Sequence, residues 1–269
     1  MLAKLTAEFR FFQTMPHSMR VLLITNMLYA LVLPVVEIFM AAYIMRFFAD
    51  TSYVAIFQVA MYTGIIITSL ANGFLLKSFK VGHLYSFGIL LSGIAMVGMM
   101  FVENIALPGL IVAGTLIGAA SGFFWTNRYL MALNSTADDN RNYFFGLESF
   151  FFTISNIGVP VIIGVLLTSI DGVQFLGITF DIYKGYRIVT LMVFLITILA
   201  TYSLSRGKFE NPVQKDFLFF RFDRLWNKQI LLAALKGLVQ GFLVTAPAML
   251  IMKYVGKEGS LGLIQGISG

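Results

Sequence analysis

The chain has 269 residues, of which 58% are hydrophobic and only 12% charged. A soluble domain is about 45–50% apolar and about 25% charged, so the composition excludes a water-soluble globule and a disordered tail. No cysteine is present, which excludes disulfides and thiolate chemistry, and two histidines, His17 and His83, make no metal cluster.

A hydrocarbon layer about 30 Å thick is crossed by about 20 apolar residues in a helix, the conformation that satisfies its own backbone there. Residues 1–20 mix Phe9, Phe11 and Phe12 with Arg10, His17 and Arg20, which predicts a helix lying on the inner membrane surface. Apolar runs then predict seven spans, 21–46, 52–76, 82–102, 107–134, 142–170, 186–205 and 230–252, with an eighth starting near Ser260. They are too long and too uniform for barrel strands of about 10 alternating residues. Between the sixth and seventh spans, 206–229 is basic and carries the aromatic stretch from Phe217 to Phe222. That pattern predicts an amphipathic linker at the cytoplasmic interface. The expected organisation is all-α and polytopic: the N-terminal segment 1–20, a six-helix bundle 21–205, the linker 206–229, and 230–269 as the start of a second bundle. The sequence stops inside an apolar stretch and is expected to continue past Gly269.

With the N-terminus inside, cytoplasmic segments hold thirteen of the nineteen Lys and Arg, the opposite side holds five, and Lys236 lies within a span. This is the positive-inside pattern. It accounts for the net charge of +6 as a topology signal and argues against nucleic acid as a partner. The expected location is a multi-pass position in a bacterial inner membrane, with a cytoplasmic N-terminus and the lipid bilayer as the surrounding partner.

Ionisable groups in lipid usually face a bundle interior or a cavity. Glu37 in the first span is eleven residues from Asn26, which on an unbroken helix returns to about the same face, with Pro34 between them. The carboxylate is read either as protonatable in a pathway or as a structural group paired with a neighbouring helix. Gln58, Tyr62, Ser69 and Asn72 form a polar stripe on the second span. A cavity wall and an interhelical hydrogen-bonded seam would give the same stripe. Lys236 and Gln240 share a face of the seventh span. The lysine either snorkels to the inner surface, pairs with Glu37 or Glu148, or holds an anionic substrate. Arg128 and Glu148, near the cytoplasmic ends of the fourth and fifth spans, either pair across the inner mouth or reach headgroups separately. Gly114, Gly118 and Gly122 read as helix packing, as do Gly237 and Gly241.

One ordered set of residues goes further. Gly118-Ala119-Ala120 sits in the fourth span, Asp139, Arg141 and Gly146 follow in and after the loop, and Gly158, Pro160 and Gly164 sit in the fifth. This order resembles the fourth and fifth helices of the major facilitator superfamily, in its drug:proton antiporter-like branch. Gly73 and Leu75 fit the family's loop between helices two and three. The departures are Val159 for a glycine, Lys77 for an aspartate and Val112 for an arginine.

The family has twelve helices in two halves of six, and the resemblance implies a secondary transporter that exposes a midplane site alternately to the two sides. It implies proton-coupled efflux of a small organic substrate, with no cofactor, no metal and a monomeric carrier. Under that reading Glu37 is the proton-coupling carboxylate. Asn26, Tyr62 and Asn156 line one half of the cavity, and Lys236 and Gln240 line the other. Arg128, Glu148 and Lys77 form the inner gate, while Gly158, Pro160 and Gly164 bend and pack the fifth helix. Two other classes remain: a non-transporting or lipid-moving protein of the same fold, and a polytopic enzyme on lipid substrates. The enzyme is disfavoured because Asp138 and Asp139, the carboxylates of the candidate loop, have no histidine partner and cap a helix equally well.

Overall fold

The computed structural model describes residues 2–101, 106–175, 178–211 and 224–268. Pro34 shapes the first span, His17–Phe48, a single apolar stretch of 32 residues. Proline has no N–H, and its ring crowds the carbonyl four residues earlier. Ahead of it, α2 (His17–Ala30) tightens its last turn, with Leu31 N–H donating to the Leu28 carbonyl at 3.2 Å and Val32 N–H to that of Tyr29 at 2.9 Å. Behind it, a π-helical turn (Val35–Phe39) leads into α3 (Met40–Phe48). Ala49, in the left-handed region at φ 52°, then turns the chain. Asp50 caps α4 (Thr51–Leu75) by accepting the Ser52 N–H at 2.9 Å, a bond that holds its carboxyl below the usual carboxylate range.

The remaining spans are α5 (Val81–Phe101), α6 (Leu107–Ser135), α7 (Arg141–Ile170) and α8 (Ile182–Ser205). A two-residue antiparallel pair, β1 (Gln174–Phe175) and β2 (Ile178–Thr179), decorates the loop before α8. An amphipathic α1 (Leu2–Thr14) precedes the first span, and α9 (Arg224–Tyr254) and α10 (Glu258–Ser268) follow the sixth. Residues 212–223, which include the aromatic stretch from Phe217 to Phe222, lie outside the described residues.

Six described helices are long and apolar enough to cross a membrane. Their outer surface carries Val59, Ile66, Ile162 and Leu195, each 59% exposed or more. That much contiguous apolar surface suits acyl chains rather than water. The chain is an all-helical, multi-pass membrane bundle.

Small residues set how closely the helices approach. On α6, a Cβ added at Gly114 would sit 2.8 Å from the Phe57 carbonyl oxygen of α4, and one at Gly118 would run into that of Met61. The α4–α6 seam is thus backbone against backbone. On α7 and α10 the same applies. A Cβ at Gly164 would meet the Glu258 carbonyl oxygen at 2.7 Å, and one at Gly262 would run into that of Pro160. Gly158 differs from the expectation, because nothing lies within 4 Å of the position its Cβ would take. Pro160 and Gly164 pack this helix; Gly158 does not.

Candidate functional site

Three polar assemblies interrupt the apolar interior. The first lies about 10 Å inside the bundle, taking 1.5 Å of rise per residue. Arg128 and Glu148 are each seven residues from the ends of α6 and α7 that face their shared loop. Nε of Arg128 donates to Oε1 of Glu148 at 2.9 Å and Nη2 to Oε2 at 2.5 Å. Asn26 Nδ2 of α2 adds a third donor to Oε1 at 2.5 Å, and the Tyr85 hydroxyl of α5 donates to Asn26 Oδ1. The guanidinium is also faced by the rings of Trp125, Tyr129 and Phe152, with centroids 4.9, 5.0 and 5.0 Å from its central carbon. Arginine alone can fork onto a carboxylate in its plane while presenting its faces to aromatic rings. Glu148 is 1% exposed, so these two residues form a buried pair joining four helices rather than two separate headgroup contacts.

The second assembly is a cavity of about 230 Å³ at mid-height. Glu37, Gln58 and Tyr62 give it polarity, Leu33, Val36, Met61, Ile65 and Trp125 line it, and Gly237 and Gly241 of α9 form the far wall. Among the described residues, no hydrogen bond or ion pair reaches the Glu37 carboxylate. Oε1 of Gln58 is buried without a partner. The Glu37 carboxylate and this amide oxygen thus face a space also lined by the hydroxyls of Tyr62 and Ser121, with no hydrogen bond made to either acceptor among the described residues. Trp125 lines this cavity and also faces Arg128, so the two assemblies share a side chain.

The third lies at the other end of the first span. Arg46 Nε and Nη2 donate to the two Glu258 oxygens at 3.1 and 2.7 Å, and Nη2 also reaches the Gly256 carbonyl at 2.8 Å. This fork joins α3 to the first turn of α10. Around it, α9 packs against α3 and α10 against α7. The buried residues of α9 lie here, at Ala248 and Met252, whereas its described side chains from Asn227 to Val239 are all exposed. Among the described residues, the helix is buried at the Arg46 end, meets the cavity at Gly237 and Gly241, and is exposed nearer its start.

These positions revise several expectations. Asn26 does not line the cavity, because the tightened turn and the π-helical turn around Pro34 rotate Glu37 off the Asn26 face. Its partners are Glu148 and Tyr85. Asn156 is exposed on α7, beside the buried Ser155. Lys236 is exposed and outside the lining, although its neighbour Gly237 is in it; the side chain of Gln240 lies outside the described residues. Lys77 is exposed at the end of α4 and has no part in the Arg128–Glu148 pair. The α4 stripe divides between the two readings. Gln58 and Tyr62 face the cavity, whereas Asn72 exchanges hydrogen bonds with Asn127 at 3.1 and 2.8 Å and Ser69 accepts one from Thr126.

Sequence reasoning missed Tyr85 and the Arg46–Glu258 fork. The fork carried no local signal, since its two residues are 212 positions apart.

No protein-family model matches this chain. It is similar to a protein of Geobacillus stearothermophilus named "Uncharacterized protein in sodM 3'region", with 24% identity over 162 residues, 60% of this chain and 75% of that one. That name specifies no activity, so the functional reading rests on the geometry.

Proposed function

We propose that the chain is a secondary active transporter of the major facilitator type, moving small organic molecules by alternating access with proton-coupled efflux. The observation that carries this is the mid-height cavity, where the Glu37 carboxylate, without an ion-pair partner among the described residues, shares a lining with Gln58 and Tyr62 beside α9. A carboxylate held in an apolar bundle without a counter-charge is costly, and exchange of a proton for a substrate gives it a use. The contacts at the two ends support the same reading. At one end Arg46–Glu258, α3–α9 and α7–α10 join the first bundle to the helices that follow it; at the other the described side chains of α9 from Asn227 to Val239 are exposed. A cavity closed on one side and open on the other is one of the two states that rocking bundles alternate between.

The test is transport in energised membrane vesicles. Glu37→Gln keeps the shape and hydrogen-bonding capacity of the side chain and removes its proton exchange. It is expected to insert normally and to abolish flux driven by a pH gradient. Undiminished flux in that variant would exclude Glu37 as the coupling group.

A further inference from the structure

At the basic end of the bundle, a cavity of about 370 Å³ lies between the start of α5 and the end of α8. Its basic side chains are Lys80, His83 and Lys208, and its hydroxyls come from Ser86, Thr201 and Ser205. Among the described residues no acidic residue lines it. Among the described residues none of the three basic side chains joins an ion pair. The Thr201 hydroxyl oxygen is buried in this wall and has no partner. A hydroxyl shut away from water without a bond is unfavourable unless a ligand completes it. We infer that this cavity is a binding site for a phosphate group, held by Lys80, Lys208 and His83 and hydrogen-bonded by the Thr201, Ser205 and Ser86 hydroxyls.

The surroundings fit that chemistry. Gly207, Lys208 and Phe209 belong to the strand-like segment that leaves α8, and this segment is pinned across the mouth of the bundle. Asn211 Oδ1 accepts the Val81 N–H at 2.8 Å, and a His17 ring nitrogen lies within hydrogen-bond distance, 3.0 Å, of the Arg206 carbonyl oxygen. Lys208 and Lys80 thus line one cavity, and neither joins an ion pair among the described residues. Below the cavity, Phe87 and Ile94 of α5 and Tyr202 and Ile198 of α8 are exposed. An anionic phospholipid would seat its headgroup in the basic cavity and lay its chains along that apolar face. A free phosphate ion would use the same donors without the face.

The experiment titrates the purified full chain in detergent with phosphatidylglycerol, with phosphatidylcholine and with inorganic phosphate, reading thermal unfolding. Phosphatidylglycerol is expected to raise the unfolding temperature at lower concentration than phosphatidylcholine. Lys80→Gln and Lys208→Gln should each weaken the half-saturating concentration about fivefold, which is about 1 kcal/mol per cation near a membrane surface. Lys77→Gln with Lys228→Gln removes two charges, one more than either cavity variant, from exposed positions outside the cavity and should leave it unchanged. A shift with inorganic phosphate that needs Lys80 and Lys208 assigns the site to the free ion; a shift with lipid alone assigns it to the headgroup. Equal weakening by the control pair, or none from the cavity lysines, overturns the site. If the lysine variants fail to fold, a photoreactive phosphatidylglycerol on the wild-type chain should label 80–86 and 201–209. Labelling elsewhere would overturn it equally.

Discussion

Replacing Glu148 by glutamine removes one charge from a pair that the bundle has taken out of water. Arg128, 8% exposed, would then keep its positive charge with no carboxylate within reach among the described residues. Removing one partner of a buried pair costs about 3–5 kcal/mol. The surroundings place the expected loss at the lower end of that range. The new amide oxygen still accepts one guanidinium N–H, and the three rings at 4.9–5.0 Å still face the cation. We therefore expect Glu148→Gln to lower stability by about 3 kcal/mol. Arg128→Met should cost at least as much, because the remaining carboxylate keeps only Asn26. The double variant Arg128→Met/Glu148→Gln buries no charge and leaves Asn26 an acceptor, so it should be more stable than either single variant. Equilibrium unfolding in mixed micelles, followed by tryptophan fluorescence with Trp125 beside the pair, measures all four proteins. A Glu148→Gln variant as stable as wild type, or a double variant weaker than both singles, would refute the electrostatic account.

Glycine packing gives a second expectation. Gly118→Ala places a methyl group into the Met61 carbonyl and should cost about 1–3 kcal/mol, as overpacking does. Gly98→Ala, with nothing within 4 Å of its new carbon, should be neutral or up to about 1 kcal/mol stabilising, and the same unfolding assay separates the two. The proposed transport reading makes the Arg46–Glu258 fork a closure on one side of the cavity, and the absence of native cysteine makes Tyr62→Cys a clean probe of it. Adding Arg46→Gln should speed reaction of that thiol with an impermeant reagent applied from the Arg46 side. The gain should be about fivefold, since a partly exposed pair contributes about 1 kcal/mol at most. An unchanged rate would mean that the fork is not a closure.

Much of the architecture was legible in the residues. The apolar runs place the helices to within about four positions, except that α9 begins at Arg224, well before the expected start at 230. The depth of Arg128 and Glu148 near the same ends of their helices was legible, but whether they pair or reach headgroups was not, and the structure pairs them. The face of Glu37 was not legible. An eleven-residue spacing returns to one face only on an unbroken α-helix, and Pro34 replaces that regularity with a tightened turn and a π-helical one. The α4 stripe was ambiguous for a different reason. A polar face does not say whether the neighbour opposite is a cavity or Asn127, and here it is one along the first half and the other along the second.

The sequence by itself determined the position, length and apolar character of six spans, because partition into a bilayer sums over residues and needs only local composition. The seventh expected span is a helix, α9, but is not among the six described helices long and apolar enough to cross a membrane. Only the tertiary structure decided which polar groups meet. Asn26 reaches Glu148 across 122 residues and Arg46 reaches Glu258 across 212, at distances near 3 Å. Bonds of that length and direction depend on the rotation and approach of whole helices. Those were set by a proline in the first span and by glycines on α6, α7 and α10, none of which takes part in the bonds themselves.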